Sequence, residues 1–574
     1  MAAATPKIKV ADCKYNSLEI LGLIKKASQQ DVRILCLPEL CITGSALGDL
    51  FYQDILLDGA MDSLLYIIKE SAALNVLVAV GLPISHAGNV HSATAVFLRG
   101  KLLGLAAKTL PALMFKCEGT RLSLAVETDI SAPSPALIRL IPAAHEEVAG
   151  SGDKRRRMLS ALSERARCAC VYANAGYGES TTDMVFSGHN LIYEGGELLC
   201  ESLPFAEGWA MAEIDLGSLS AEPARTEAYN VIPFTMEANC RSLSRHISPA
   251  PFIPQDEQSR NARCEEILNI QGAALAKRMA HTNCEALVLG ISGGLDSTLA
   301  LLASVRACEM LKKPLTYITA ITQPCFGTTE RTKGNAHSLC RALGVVCKEI
   351  DISESVAKHL DDIGHSLEKK DTVYENAQAR MRIMGLMNIA NQVNGLVVGS
   401  GDLSELALGF STYNGDHMSM YGVNAGVPKT LIRHIIKYAA NMNPNLTEVL
   451  EDILATPVSP ELLPHKAGEI SQRTEDIVGP YELHDFYLYH VIKYGRKPKL
   501  IFKLACLAFA GKYSEAEILK WLKLFYSRFF SQQFKRNCLP EGPKIGSINL
   551  SPRGGYKMPG DAEASLWLEE LEWL

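Results

Sequence analysis

Short apolar runs alternate with amphipathic stretches through the first part of the chain. IKVADC (Ile8–Cys13) reads as a strand, Tyr15–Gln30 has helical periodicity, and RILCLPEL (Arg33–Leu40) reads as a buried strand. NVLVAVGLPI (Asn75–Ile84) predicts another strand, and TAVFLRGKLLGLA (Thr94–Ala106) a hairpin turning at Arg99-Gly100. Farther on come CACVYANAG (Cys168–Gly176) and HNLIYEGGELLCES (His189–Ser202), the latter turning at Gly195-Gly196. Strand, helix, strand and then hairpins predict a layered α/β unit.

From about Leu216 to Glu257 this rhythm decays, and SPAPFIPQDEQ (Ser248–Gln258) has the proline-rich, polar character of a linker. A new alternation starts at Cys264. EALVLGI (Glu285–Ile291) is a short, fully apolar run of the kind a central parallel strand needs. A helix at Thr298–Leu311 and strands at Thr316–Thr322, Val345–Ile352 and Gly395–Ser400, separated by helices, predict a doubly wound parallel sheet. From about Pro480 the chain is helical and aromatic-rich. The expected organisation is a first unit over 1–225, a linker over 226–258 and a second unit over 259–574, with no internal repeat or low-complexity tract.

Composition narrows the function. At 574 residues the chain exceeds one ordinary domain, and 47% hydrophobic with 21% charged residues is the balance of a globular protein. A formal charge of −6 argues against a nucleic-acid binder that relies on bulk positive charge. The basic, aromatic stretch Trp521–Arg536 therefore reads as a packing or oligomer helix, not an RNA platform. The N-terminus lacks the pattern of a secretory signal, and no apolar run is long enough to span a bilayer, so no membrane partner and a cytoplasmic location are expected. The 16 cysteines form no CxxC pair and read as reduced thiols, not a disulfide framework or zinc site.

The strongest motif is SGGLDS (Ser292–Ser297), between an apolar strand and a helix. Gly293 and Gly294 permit a tight turn and close backbone approach to a ligand. Successive amide N–H groups at a helix start favour an anion. Ser292 and Ser297 add hydroxyl donors, and Asp296 suits Mg²⁺ held against phosphate oxygens. The spacing is neither GxxxxGK[ST] nor GxGxxG; it resembles the pyrophosphate loop of ATP pyrophosphatases, which adenylate a substrate.

The rest of this half narrows the resemblance. YENAQAR (Tyr374–Arg380), GSGDLSELALGFSTYNGDHMSMYGVN (Gly399–Asn424), VPKT (Val427–Thr430), TPVSPELLP (Thr456–Pro464), TEDIVGPYELHDFYLY (Thr474–Tyr489), FFSQQFKRNCLPEGPK (Phe529–Lys544) and LSPRGGYKMP (Leu550–Pro559) together resemble glutamine-dependent NAD⁺ synthetases. The resemblance implies a Rossmann-like PP-loop domain with a helical C-terminal extension, Mg²⁺, and a homo-oligomer. It implies a two-step reaction: the nicotinate carboxylate of deamido-NAD⁺ attacks the α-phosphorus of ATP, and ammonia then displaces AMP. Carried onto this chain, Gly290, Ile291, Ser292, Gly293, Gly294, Leu295, Asp296 and Ser297 hold ATP, with Ser400 where the family usually has Thr. Asp296 and Glu405 surround Mg²⁺. Glu405, Asn376, Phe410, Ser411, Thr412, Tyr413 and Lys535 contact deamido-NAD⁺, and Lys429 balances phosphate charge.

The first half resembles the nitrilase-like amidase domain fused to this synthetase, an α-β-β-α sandwich whose Glu–Lys–Cys triad hydrolyses glutamine. LCLPELCITG (Leu35–Gly44) matches the glutamate block, giving Glu39 as general base; AAKTLP (Ala106–Pro111) matches the lysine block, giving Lys108; and Tyr172–Leu199 matches a later block. The cysteine block breaks the pattern. Aligned on Asp129, Ala132 and Pro133, AVETDISAPSP (Ala125–Pro135) puts Glu127 at the nucleophile position and Thr128 after it, and the span from Lys108 is shortened. Cys41, Cys117, Cys168 and Cys170 are the alternative nucleophiles. A carboxylate lacks thiolate nucleophilicity, and its acyl-enzyme would be an anhydride. The expected function is NAD⁺ synthesis from deamido-NAD⁺, ATP and ammonia, with a degenerate glutaminase domain. Two alternatives stay open: glutamine hydrolysis through a cysteine elsewhere, and a non-catalytic scaffold or regulatory subunit.

Overall fold

The structure, a computed structural model, describes residues 1–127, 134–176, 178–181, 184–220, 229–237, 243, 245–456, 474–572 and 574. Thr128, Asp129, Ala132 and Pro133 of the cysteine block, and residues 457–464 of the TPVSPELLP motif, lie outside these. The chain divides into two units, Met1–Arg245 and His246–Leu574. No helix among the described residues is long and apolar enough to cross a membrane.

In the first unit, β1 (Ala2–Ala4), α1 (Cys13–Gln29), β2 (Ile34–Cys36), α2 (Asp54–Glu70), β3 (Leu77–His86), β4 (Asn89–Leu98) and β5 (Lys101–Ala107) come first. They are followed by β6 (Leu113–Cys117), β7 (Ser123–Val126), β8 (Ile138–Ala143), α3 (Ser151–Ala166), β9 (Ala169–Asn174), β10 (Leu191–Glu194), β11 (Glu197–Glu201), β12 (Trp209–Met211) and β13 (Asn230–Phe234). A six-stranded sheet runs β12-β1-β2-β3-β4-β5, and a seven-stranded sheet β11-β10-β9-β8-β7-β6-β13. Ala3, Ile34, Ala79 and Val96 of the first sheet bury against Phe115, Leu124, Ile138 and Val171 of the second. The opposite face of the first sheet packs on α1 and α2 through Ile20, Ile24, Leu64 and Ile67. Leu159 and Leu162 of α3 cover the outer face of the second. The result is the α-β-β-α sandwich.

The expected strand at Ile8–Cys13 is not formed. The Asn16 side chain takes both backbone groups of Lys9, accepting from its N–H at 2.7 Å and donating to its carbonyl at 2.9 Å. Asp12 caps α1 by accepting from the Tyr15 N–H. With those groups occupied, the ladder is built by Ala2–Ala4, parallel to β2 and antiparallel to β12. The stretch read as a linker contributes β13, parallel to β6 from Asn230↔Leu113 to Phe234↔Cys117.

The second unit opens with α4 (Glu257–Thr282), β14 (Ala286–Gly290), α5 (Leu295–Met310), β15 (Ile318–Thr322), α6 (Glu330–Leu343), β16 (Val346–Glu349), α7 (Ser353–Asp362), α8 (Thr372–Gln392) and β17 (Gly395–Gly399). Then come α9 (Leu403–Leu408), β18 (Tyr421–Gly422), α10 (Lys429–Met442), α11 (Thr447–Ala455), α12 (Thr474–Val478), α13 (Tyr481–Tyr494), α14 (Pro498–Ala508), α15 (Glu515–Ser531) and α16 (Gln533–Asn537). The strands form one parallel sheet, β16-β15-β14-β17-β18. Chain order reverses between β14 and β17, so the carboxyl ends of those strands open a crevice, the place where doubly wound sheets bind ligands. The helices from α12 onward build a separate core of Phe486, Tyr487, Phe525, Tyr526 and Phe529.

Candidate functional site

The loop after β14 enters the crevice. Gly293 has φ +79°, and a Cβ there would lie 2.1 Å from the Thr332 carbonyl oxygen, so only glycine fits the turn. Ser292 Oγ accepts from the Gly294 N–H at 3.2 Å and lies 3.1 Å from Ser297 Oγ. Ser297 and Thr298 both donate to the Gly294 carbonyl, closing the first turn of α5. Beside it β17 ends at Gly399 and Ser400 follows. Asn424 ties the two strand ends together by donating to the Asp296 carbonyl at 2.8 Å and the Ser400 carbonyl at 3.0 Å. Gln271 in turn donates to Asn424 Oδ1.

Four charges meet at this point. Lys429 is the first residue of α10 and is buried. Its Nζ lies 2.6 Å from Asp296 Oδ2, 2.6 Å from Asp402 Oδ2 and 2.8 Å from Glu405 Oε1. Asp402 caps α9 by accepting from the Ser404 and Glu405 N–H groups. One carboxylate oxygen from each of Asp296, Asp402 and Glu405 lies within 4.8 Å of the other two. Burial pushes the Glu405 carboxyl up to about 7, with Lys429 opposing and Asp296 adding to the rise. Burial raises Asp402 as well, and Glu405 raises it further. Burial works against the Lys429 charge, but the three carboxylates outweigh it and hold the ammonium protonated. Three carboxylates against one ammonium leave the cluster negative when all are ionised.

A second cluster adjoins it. Thr412 Oγ1 donates to Asn376 Oδ1 at 2.8 Å, and the Thr412 N–H to Asp416 Oδ1 at 2.7 Å. Tyr413 stacks on His417 and tilts against Phe534. Lys535 Nζ donates to the Gly409 and Ser411 carbonyls at 2.8 and 2.6 Å, clasping the loop that carries Phe410–Tyr413. Burial raises the Asp416 carboxyl and lowers the His417 imidazole.

Every candidate residue of the second unit therefore falls into one of these two clusters or the loop beside them. Asp402, Asp416 and His417 were not singled out from the sequence. Asp402 was legible in principle, since GSGDLSE puts an acid at the cap position directly after a central strand, with Glu405 in the first turn behind it.

In the first unit the candidates are not joined. Glu39 is half-buried in the turn after β2, and that turn lies so close to Gly81 of β3 that a Cβ there would sit 2.3 Å from the Leu40 nitrogen. Lys108 is exposed, just after β5. Among the described residues no ion pair links it to Glu39 or Glu127. Glu127 follows β7 and is buried, with its carboxylate paired to Arg139 of β8: Nε to Oε1 at 2.8 Å and Nη2 to Oε2 at 2.9 Å. Burial opposes the Arg139 charge, and Glu127 more than restores it. Cys41 is buried and burial pushes its thiol up to about 12. Cys117 is buried too. Cys168 and Cys170 lie buried with sulfurs 3.8 Å apart, and the contact raises the Cys170 thiol together with burial.

The NAD synthase family matches residues 267–508. A glutamine-dependent NAD⁺ synthetase of Mycobacterium leprae is 34% identical over an alignment of 661 positions, gaps included, covering 100% of this chain and 97% of the relative. One of Mycobacterium tuberculosis is 36% identical over the same coverage. The crystal structure of a glutamine-dependent NAD⁺ synthetase from Cytophaga hutchinsonii, at 20% identity, covers 100% of this chain and 99% of that one at TM-score 0.46, too low to bear on the assignment. The full-length sequence relatives decide it: the chain belongs to the glutamine-dependent NAD⁺ synthetase family.

Proposed function

We propose that this chain converts deamido-NAD⁺ to NAD⁺ at the cost of ATP cleavage to AMP and pyrophosphate, taking nitrogen from ammonia. The observation that carries the synthetase reading is the convergence of Asp296, Asp402 and Glu405 on Lys429 beside the SGGLDS loop. The loop N–H groups and the Ser292 and Ser297 hydroxyls take the phosphates of ATP, with Ser400 across the crevice. The donor set fits Mg²⁺. It offers hard carboxylate oxygens, and Asp296 Oδ1 is buried with no hydrogen-bond partner among the described residues. Asp296 and Glu405 would hold the ion, which when bound offsets charge on the phosphate oxygens. Asn376, Phe410–Tyr413 and Lys535 seat deamido-NAD⁺, placing its nicotinate carboxylate against the α-phosphorus.

The carboxylate oxygen forms a bond to the α-phosphorus as the α–β bridging bond breaks, and pyrophosphate leaves. Lys429 meets the charge that develops on that leaving group. Ammonia then attacks the carbonyl carbon of the adenylate, the bond to AMP breaks, and the nitrogen loses a proton to give the amide. The experiment is to follow AMP, pyrophosphate and NAD⁺ with ammonium as donor. Equal amounts of all three, dependent on deamido-NAD⁺, are expected; ATP cleavage to ADP, or none, contradicts the reading.

The nitrogen source rests on Glu127. Where the family's nucleophile stands, this chain has a carboxylate engaged by a fully buried guanidinium. All four alternative cysteines are buried, whereas nucleophilic catalysis uses a partly exposed thiol. The first unit then serves as a structural or assembly element of a homo-oligomer, whose order sedimentation velocity measures.

A further inference from the structure

Helix α9 carries Asp402 at its cap and Glu405 in its first turn, and it runs straight into the Gly409–Tyr413 loop. A helix of six residues leaves most of its carbonyls without intrahelical partners. Here those carbonyls are taken by three basic side chains from α15 and α16. Arg536, 1% exposed, donates from Nη1 to the Leu406 carbonyl at 3.1 Å and the Ala407 carbonyl at 2.9 Å. Its Nη2 bonds the Phe529 carbonyl, and its Nε donates to Gln533 Oε1 at 2.8 Å. Arg528 Nε donates to the Leu408 carbonyl at 2.9 Å, and Lys535 takes the Gly409 and Ser411 carbonyls. Among the described residues no carboxylate forms an ion pair with any of the three.

A buried guanidinium without a carboxylate partner is costly to keep. Its planar fork can satisfy consecutive carbonyls that water cannot reach, and a lysine cannot reproduce that geometry. The other end of α9 is anchored by an equally buried charge. Asp485 of α13 accepts from Ser404 Oγ, and from the Thr430 N–H at 3.1 Å and Oγ1 at 2.6 Å. Ser404 Oγ also accepts from the Lys429 N–H at 2.8 Å. The helix that presents Glu405 is thus fixed at its start to α10, which presents Lys429, and at its end to α16.

We propose that Arg536 is a positioning residue of the synthetase centre, acting through α9 to set Glu405 and Asp402 against Lys429 and to hold the adjoining loop. This rests on the function proposed above. If wild type makes no NAD⁺, that function fails. If wild type is active and the variants below behave like it, only the present inference fails.

The test compares Arg536→Lys, which keeps the charge and loses the fork, with Leu504→Ala on α14, which opens a cavity in the same helical core and removes no hydrogen bond from the α9 carbonyls. Activities are compared per folded molecule at temperatures well below each thermal transition. Arg536→Lys is expected to lower kcat about tenfold or more and to raise the Mg²⁺ concentration for half-maximal rate, because small misplacements of charged groups are amplified in rate. Leu504→Ala is expected to keep the wild-type kcat and Mg²⁺ dependence. Should Arg536→Lys not fold, Arg528→Lys, which disturbs one bond at the same helix end, is expected to move the same two parameters by about threefold. Wild-type values of both parameters in the arginine variants, or equal losses in Leu504→Ala, would overturn the proposal.

Discussion

The two units each bury a cationic side chain among carboxylates, and the two arrangements differ in their arithmetic. In the first unit, among the described residues, one guanidinium meets one carboxylate, and the Glu127–Arg139 contact is bidentate and shut off from solvent. In the second, one ammonium faces three carboxylates at a strand-end crevice, two of them still partly exposed. Opposite charges matched one to one carry no net attraction for a further ion. An unbalanced cluster retains attraction for a further cation, and through that cation for a phosphate. Perturbed, unbalanced charge at a crevice is the feature on which the proposed site rests.

Lys429→Met attacks the unbalanced side and carries the largest expected effect. With three carboxylates left unopposed, kcat for NAD⁺ formation is expected to fall by about 10² to 10³, read in the ammonium assay. Glu127→Ala attacks the balanced side. It removes the bidentate partner of the buried Arg139 guanidinium, and a destabilisation of about 3–5 kcal/mol is expected, measured by denaturant unfolding, with ammonium-dependent activity unchanged in the molecules that stay folded.

A pH series sharpens the contrast within the second unit. Burial lowers His484 to about 4 and His490 to about 3. Both are neutral when folded and gain a proton on unfolding below their ordinary value. Their contribution is therefore complete above pH ~6.5 and shrinks as pH falls toward 4, by up to about 1.4 kcal/mol per pH unit for each histidine. His484→Gln should flatten that slope in unfolding curves. The smallest effect is expected from Glu39→Gln and Lys108→Met, where NAD⁺ formation stays at the wild-type rate and stability within about 0.5 kcal/mol.

Much of the fold was legible because local rules and tertiary packing agree. The apolar run before SGGLDS has to be a central strand, and the hairpin at Arg99-Gly100 forms with both residues at positive φ, +48° and +75°. Ile8–Cys13 misled because alternation alone does not show that Asn16 and Asp12 take over the backbone groups there. At the site, the SGGLDS loop could be read from spacing, and Glu405 and Lys429 only from the resemblance to the family. Their meeting at one ammonium, and the role of Asp402 in it, depends on how two strand ends and three helix starts pack, which no local pattern records. Trp521–Arg536 shows the same limit. It reads correctly as a packing segment, but the aim of Arg528, Lys535 and Arg536 at the carbonyls of residues 406–411 emerges only in the folded chain.

The most direct test is NAD⁺ formation from deamido-NAD⁺, ATP and Mg²⁺ with either ammonium or glutamine as the sole nitrogen source, while glutamate release is followed. Product with ammonium, and neither product nor glutamate with glutamine, is the predicted result. Product with glutamine at a comparable rate would contradict the account. A working nucleophile would then exist in the first unit, and the Glu127–Arg139 pair would not mark the loss of glutamine hydrolysis.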